Sequence, residues 1–173
     1  MRRQDLPTLH VSEADLWKQA LIEGTVTGSI ASVLSTAVLA AAGALQTGSA
    51  TAAVNAVSHW LWGDESLFAE HPTLRHTLTG YLTQHAASIF WGVLYSRFYG
   101  HRDSAKEWPQ AVAGGIATSA VAAVVDYGLV PKRLTPGYEH RVSPGAMVAI
   151  YGALAAGFAL GAVTLGKGGL GRR

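Results

Sequence analysis

The apolar positions of this chain fall in blocks of about twenty residues, with polar residues gathered where the blocks end. A soluble bundle would spread the same residues in stripes of period 3.6 along one helical face. At about 1.5 Å per residue, an uncharged block of that length matches the roughly 30 Å hydrocarbon core of a bilayer.

Four blocks are predicted as spans. The first, residues 24–45, is "GTVTGSIASVLSTAVLAAAGAL" and carries no charge. The second, residues 74–97, follows His71-Pro72 and has Arg75 and Arg97 near its ends. The third, residues 109–130, opens at Trp108-Pro109 and is closed by Pro131. The fourth, residues 144–166, has Ser143 and Pro144 in N-cap and N1 order, and Lys167 follows it.

Two shorter segments flank the first span. Residues 12–23 begin with Ser12 and Asp15 in capping-box spacing and predict a short N-terminal interfacial helix, with Trp17 and Lys18 at headgroup level. Residues 50–63 are apolar over too few positions to span, which predicts an interfacial or re-entrant helix between spans one and two. The expected architecture is all-α, a polytopic four-helix membrane bundle forming a single integral membrane domain over residues 1–173. A cleaved signal peptide competes for the N-terminal segment, but Asp5, Glu13, Asp15 and Glu23 would make its first region long and acidic.

Lipid tails give helices no hydrophobic reason to associate, so close backbone approach at small residues must hold such a bundle together. Small residues recur at every fourth position. Gly24, Gly28 and Ser32 lie along the first span, Gly115 and Ser119 along the third, and Gly145, Gly157 and Gly161 along the fourth. The seams serve either contacts within the bundle or contacts between protomers.

Composition agrees with the blocks: 14% of the 173 residues are charged, 49% are hydrophobic, and twenty are glycine. With no cysteine, disulfides, thiolate metal sites and cysteine nucleophiles are excluded together. A net charge of +2 raises the question of nucleic acid, but Lys and Arg sit at block ends, where topology explains them better. Arg2, Arg3, Lys18, Arg97, Arg102, Lys106, Lys167, Arg172 and Arg173 outnumber Arg75, Lys132, Arg133 and Arg141. Positive charge is retained inside, so both termini are expected in the cytoplasm.

Ionisable groups at membrane depth are functional candidates. His85 lies about 20 Å from the start of the second span by helical rise, close to midplane, with Gln84 beside it. A proton-relay or ligand role competes with a neutral histidine bonded to a neighbouring helix. Asp126 falls near the outer rim of the third span, where Arg75, Lys132, Arg133 and Arg141 also gather, so an Asp–Arg lock competes with a substrate or cation site. Glu23 has the same ambiguity on the inner side, with Lys18, Arg97 or Lys106 as partners.

The stretch "NAVSHWLWGDESLFAEH" adds Asn55, Ser58 and His59; if helical, Asn55, His59 and Trp62 share a face suited to capping the bundle. His59, Asp64, Glu65, Glu70, His71 and His76 offer no helical ligand pair, so no metal is expected. The other spans supply no second histidine for a bis-His haem, and "GxSxG", Walker and dinucleotide motifs are missing. No cofactor is expected.

Together, "NAVSHWLWG", "HAASIFWGVLYSRF" and "VVDYGLVPKRLTPGYEHRVS" resemble small four-span proteins of bacterial inner membranes. The resemblance implies location and architecture and brings no catalytic residues. Asn55, Ser58, His59, Gln84, His85, Asp126, Arg133 and Glu139 are therefore physical choices. The leading expectation is a non-enzymatic accessory, assembly or scaffold component. It would meet the lipid bilayer and either a second copy or another membrane protein, and no nucleic acid. A small-solute or proton transporter acting as an oligomer, and a membrane enzyme or lipid, quinone or cofactor binder, are the alternatives.

Overall fold

The computed structural model describes residues 12–167. Asp5, Arg2, Arg3, Arg172 and Arg173, which entered the arguments on cleavage and orientation, lie outside the described residues. Among the described residues every regular element is helical and no strand occurs. The α-helices are α1 Glu13–Thr47, α2 Ala52–Val57, α3 His59–Trp62, α4 Thr79–Tyr95, α5 Trp108–Val124 and α6 Pro144–Lys167. π-helical turns lead into α4 at Leu74–Leu78, continue it at Ser96–Gly100, and continue α5 at Val125–Leu129.

Three helices are long and apolar enough to cross a membrane: Glu13–Thr47, Trp108–Leu129 and Pro144–Lys167. The blocks had predicted four. The missing one is helical from Leu74 to Gly100, but Thr77, Thr79, Thr83, Gln84, His85 and Ser88 make it more polar than the others.

The N-terminal interfacial helix is also corrected. Residues 12–23 do not form a separate element, because α1 runs unbroken for 35 residues. Its start is the expected one, with Ser12 Oγ accepting the Asp15 N–H at 3.1 Å. No proline interrupts it, and the charge of Glu23 is dealt with inside the fold. Glu23 is only 4% exposed, and its Oε1 accepts from Lys106 Nζ at 2.8 Å and Gln19 Nε2 at 2.9 Å. Gly48, at φ 78, ends the helix in the left-handed conformation that glycine adopts without strain.

Glycines fix how the long helices meet. A Cβ on Gly24 would lie 2.4 Å from Val93 Cα, and one on Gly28 would lie 2.5 Å from Ile89 Cα, so α1 and α4 run antiparallel in backbone contact. On another face of α1, a Cβ on Gly157 would lie 2.2 Å from Ala31 Cα and one on Gly161 2.7 Å from Thr27 Cα. Gly115 does the same against the Ala155 carbonyl, and Ser119 Oγ donates to the Tyr151 carbonyl at 2.6 Å, joining α5 to α6. Ser32 is fully buried on α1. Gly145 differs from the other seam residues, since nothing lies within 4 Å of where its Cβ would be.

α1 thus lies between α4 and α6, and α5 lies beyond α6. α4 and α5 complete the ring only at one end, where the Tyr99 ring covers Gly114 and the Tyr99 hydroxyl donates to the Gln110 carbonyl at 2.8 Å. Towards Asp126 they part.

Candidate functional site

The parting of α4 and α5 leaves a cleft of about 380 Å³. Thr83, Gln84, Ala87 and Trp91 of α4 form one wall, and Ala122 and Asp126 of α5 and its π turn form the other. Ser35 of α1 and Tyr151 of α6 form the back, and Phe90, largely exposed, stands at the mouth. Most of the lining is apolar or aromatic, as is usual for small-molecule sites.

Asp126 sits on the π turn Val125–Leu129, an irregularity that re-aims side chains relative to a regular helix. Its Oδ2 accepts from the Tyr151 hydroxyl at 2.6 Å. The expected lock with an arginine is not formed: among the described residues Asp126 belongs to no ion pair. Three of the four basic residues at this end are engaged elsewhere, and the fourth, Lys132, is exposed and belongs to no ion pair among the described residues. Arg75 pairs with Glu65 at 2.5 Å, Arg141 pairs with Glu70 at 2.8 Å, and Arg133 donates to the Trp60 carbonyl at 3.3 Å. Glu139 accepts from the Tyr127 hydroxyl at 3.5 Å and lies 4.0 Å from His140.

A cap built from α2, α3 and the loop after α5 closes the end of the cleft. α2 is buried along its whole length, and Gly80 of α4 lets it approach so closely that a Cβ there would lie 2.1 Å from the Val54 carbonyl oxygen. Asn55, fully buried, donates to the carbonyls of Ala69 and His71 at 3.0 Å each and accepts from Thr77 at 2.7 Å. One side chain therefore clamps the connection that returns to α4.

Ser58 Oγ donates to the Asn55 carbonyl at 2.7 Å and lies 3.3 Å from His76 Nδ1, which is also 3.2 Å from Ser66 Oγ. His59 Nδ1 lies 2.9 Å from the Ala56 carbonyl, and Gly137, at φ 89, lies against both groups. Trp60 Nε1 donates to the Thr135 carbonyl at 2.7 Å, pinning the loop over the cleft. Tyr138 of that loop is buried, and desolvation pushes its phenol above the usual range, so it lines the cleft as a neutral hydroxyl.

Of the residues singled out in the sequence, the structure brings only Gln84 and Asp126 to the cleft. Gln84 Nε2 lies 3.4 Å from Ser35 Oγ. Asn55, Ser58 and His59 belong to the cap, and Arg133 and Glu139 to the loop over it. His85 lies away from the cleft, its ring 5.6 Å from that of Tyr81 and its buried Nδ1 without a partner among the described residues.

Sequence reasoning missed Ser35, Trp60, Trp91, Tyr138 and Tyr151. None of the five carried a signal of its own in the sequence. Among the described residues no group of three or more His, Asp or Glu converges as a metal site would require. No protein-family model matches the chain, no curated protein is significantly similar to it, and no solved structure is significantly similar to its fold.

Proposed function

We propose that the chain is an integral protein of the bacterial inner membrane that crosses it four times and holds a small, largely apolar molecule in the cleft between α4 and α5. The cleft is the observation that carries this reading: an apolar cavity with a few polar groups at one end suits an amphiphile better than water or a soluble metabolite. The membrane part is supported by an arrangement inverted from that of a soluble protein. Leu82, Phe90, Ile116, Val121, Val148 and Leu160 are exposed, whereas Ser32, Ser35, Ser88 and Ser119 are buried. Leu82 and Phe90 belong to α4, which supports Leu74–Gly100 as the fourth crossing despite its polarity. Four crossings with the lysine and arginine bias put both termini in the cytoplasm.

The test is native mass spectrometry of the detergent-purified full chain beside Ala87→Phe, which fills the cleft. A lipid, quinone or other apolar species carried by the wild type and lost from the variant is expected. Equal loading of the two would overturn the reading. Because the chain has no cysteine, single cysteines introduced at Gln46 and Ser104 report orientation by labelling from one side.

A second reading, an accessory subunit docked through α6, is supported by Gly145 and Gly152, whose α-carbons face open space. It predicts that Gly152→Leu leaves the fold intact and dissociates a complex in gentle detergent.

A further inference from the structure

Among the described residues Asp126 is the one carboxylate that lines the cleft, and only one of its oxygens has a side-chain partner. Asp126 Oδ2 takes the Tyr151 hydroxyl at 2.6 Å, and no described basic residue pairs with this carboxylate. In an apolar cavity a carboxylate without a counter-ion is costly, and a bound cation would relieve that cost. Arg75 and Arg141 are tied to Glu65 and Glu70, Arg133 lies against the Trp60 carbonyl, and exposed Lys132 pairs with no described acid, so none of the four basic residues gathered at this end neutralises Asp126.

The remaining walls favour the same sign of charge. Trp60, Phe90, Trp91, Tyr138 and Tyr151 line the cleft, and aromatic faces attract diffuse positive charge. A hard metal ion would want six or more oxygen ligands, and among the described residues no three acids or histidines converge. An anion would meet Asp126 with Glu139 on the adjoining loop. A neutral molecule would leave Asp126 unpaired.

We infer that the cleft selects an organic cation, a substituted ammonium or similar soft charge on an apolar body, with the charge against Asp126 and the body along Ala87, Phe90 and Trp91. The inference rests on the cleft being a binding site. Tetraphenylphosphonium and tetraphenylborate, nearly identical in shape and opposite in charge, are suitable probes. Equilibrium dialysis would compare the detergent-purified full chain with Asp126→Asn and Ala87→Phe, and circular dichroism would confirm that each variant is folded.

Saturable binding of the phosphonium is expected, weakened at least tenfold by Asp126→Asn and abolished by Ala87→Phe, with little specific binding of the borate. If both ions bind alike and only Ala87→Phe matters, the cleft remains a site and the cation inference is overturned. If neither ion shows binding sensitive to Ala87→Phe, the cleft reading fails and the inference fails with it.

Discussion

Glu23 and Asp126 are both carboxylates lodged among helices, at opposite ends of the molecule, and the fold completes only one of them. Glu23 has a lysine at 2.8 Å and a glutamine at 2.9 Å, and both members of the ion pair are almost without exposure. Asp126 has a tyrosine hydroxyl at 2.6 Å and an open cavity in front of it. A buried pair that satisfies itself is a structural joint, here fastening the Asp103–Lys106 turn to α1. Asp126, without a cation among the described residues, joins nothing in this way and instead lines the cleft.

The contrast can be broken most forcefully at Lys106. Lys106→Ala leaves Glu23 buried and unpaired, with an expected loss of about 3–5 kcal/mol. Differential scanning fluorimetry in detergent would show a large fall in Tm, and adding Glu23→Gln should recover most of it. A wild-type melting temperature for the single variant would mean that Glu23 does not depend on its lysine.

Next in size, Gly157→Leu forces a side chain where a Cβ already meets Ala31 Cα at 2.2 Å. Overpacking of this kind costs roughly 1–3 kcal/mol and more where backbones touch, seen as a lower Tm or aggregation on size exclusion. Tyr151→Phe removes only the donor to Asp126, and a loss of about 1 kcal/mol is expected by the same melting assay. Gly145→Ala, on the open stretch of the same helix as Gly157, should change stability by no more than about 0.5 kcal/mol. Should it destabilise the protein as much as Gly157→Leu, the packing assigned to α6 would be wrong.

What sequence could show follows from how local the physics is. Ser12 as a cap and the small residues at positions 24, 28, 157 and 161 are properties of single helices, and those helices use them as their spacing suggests. The unbroken α1 was hidden because Glu23 looks like an interruption until Lys106, 83 residues away, is brought to it. Asp126 was visible as a candidate, but its partner was expected to be arginine by charge and is tyrosine by geometry. The cleft had no signature at all, since it depends on how far α4 and α5 diverge beyond Tyr99. Asn55 stood out in the sequence, while its three bonds to the connection before α4 depend on the chain turning back upon α2.

The length of α1 has a consequence for how the molecule sits. Its 35 residues make a rod of about 52 Å against a hydrocarbon core of roughly 30 Å. Tilting alone would need more than 50°, beyond the usual range of up to about 40°, so in a bilayer part of the rod must stand clear of the lipid tails. Trp17 meets Phe98 edge-on with ring centroids 6.3 Å apart, and Arg97 pairs with Glu13, so the opening turns are braced against the continuation of α4. The opening turns of α1 are therefore a fixed post and not a loose extension, whichever part of the rod the lipid leaves uncovered.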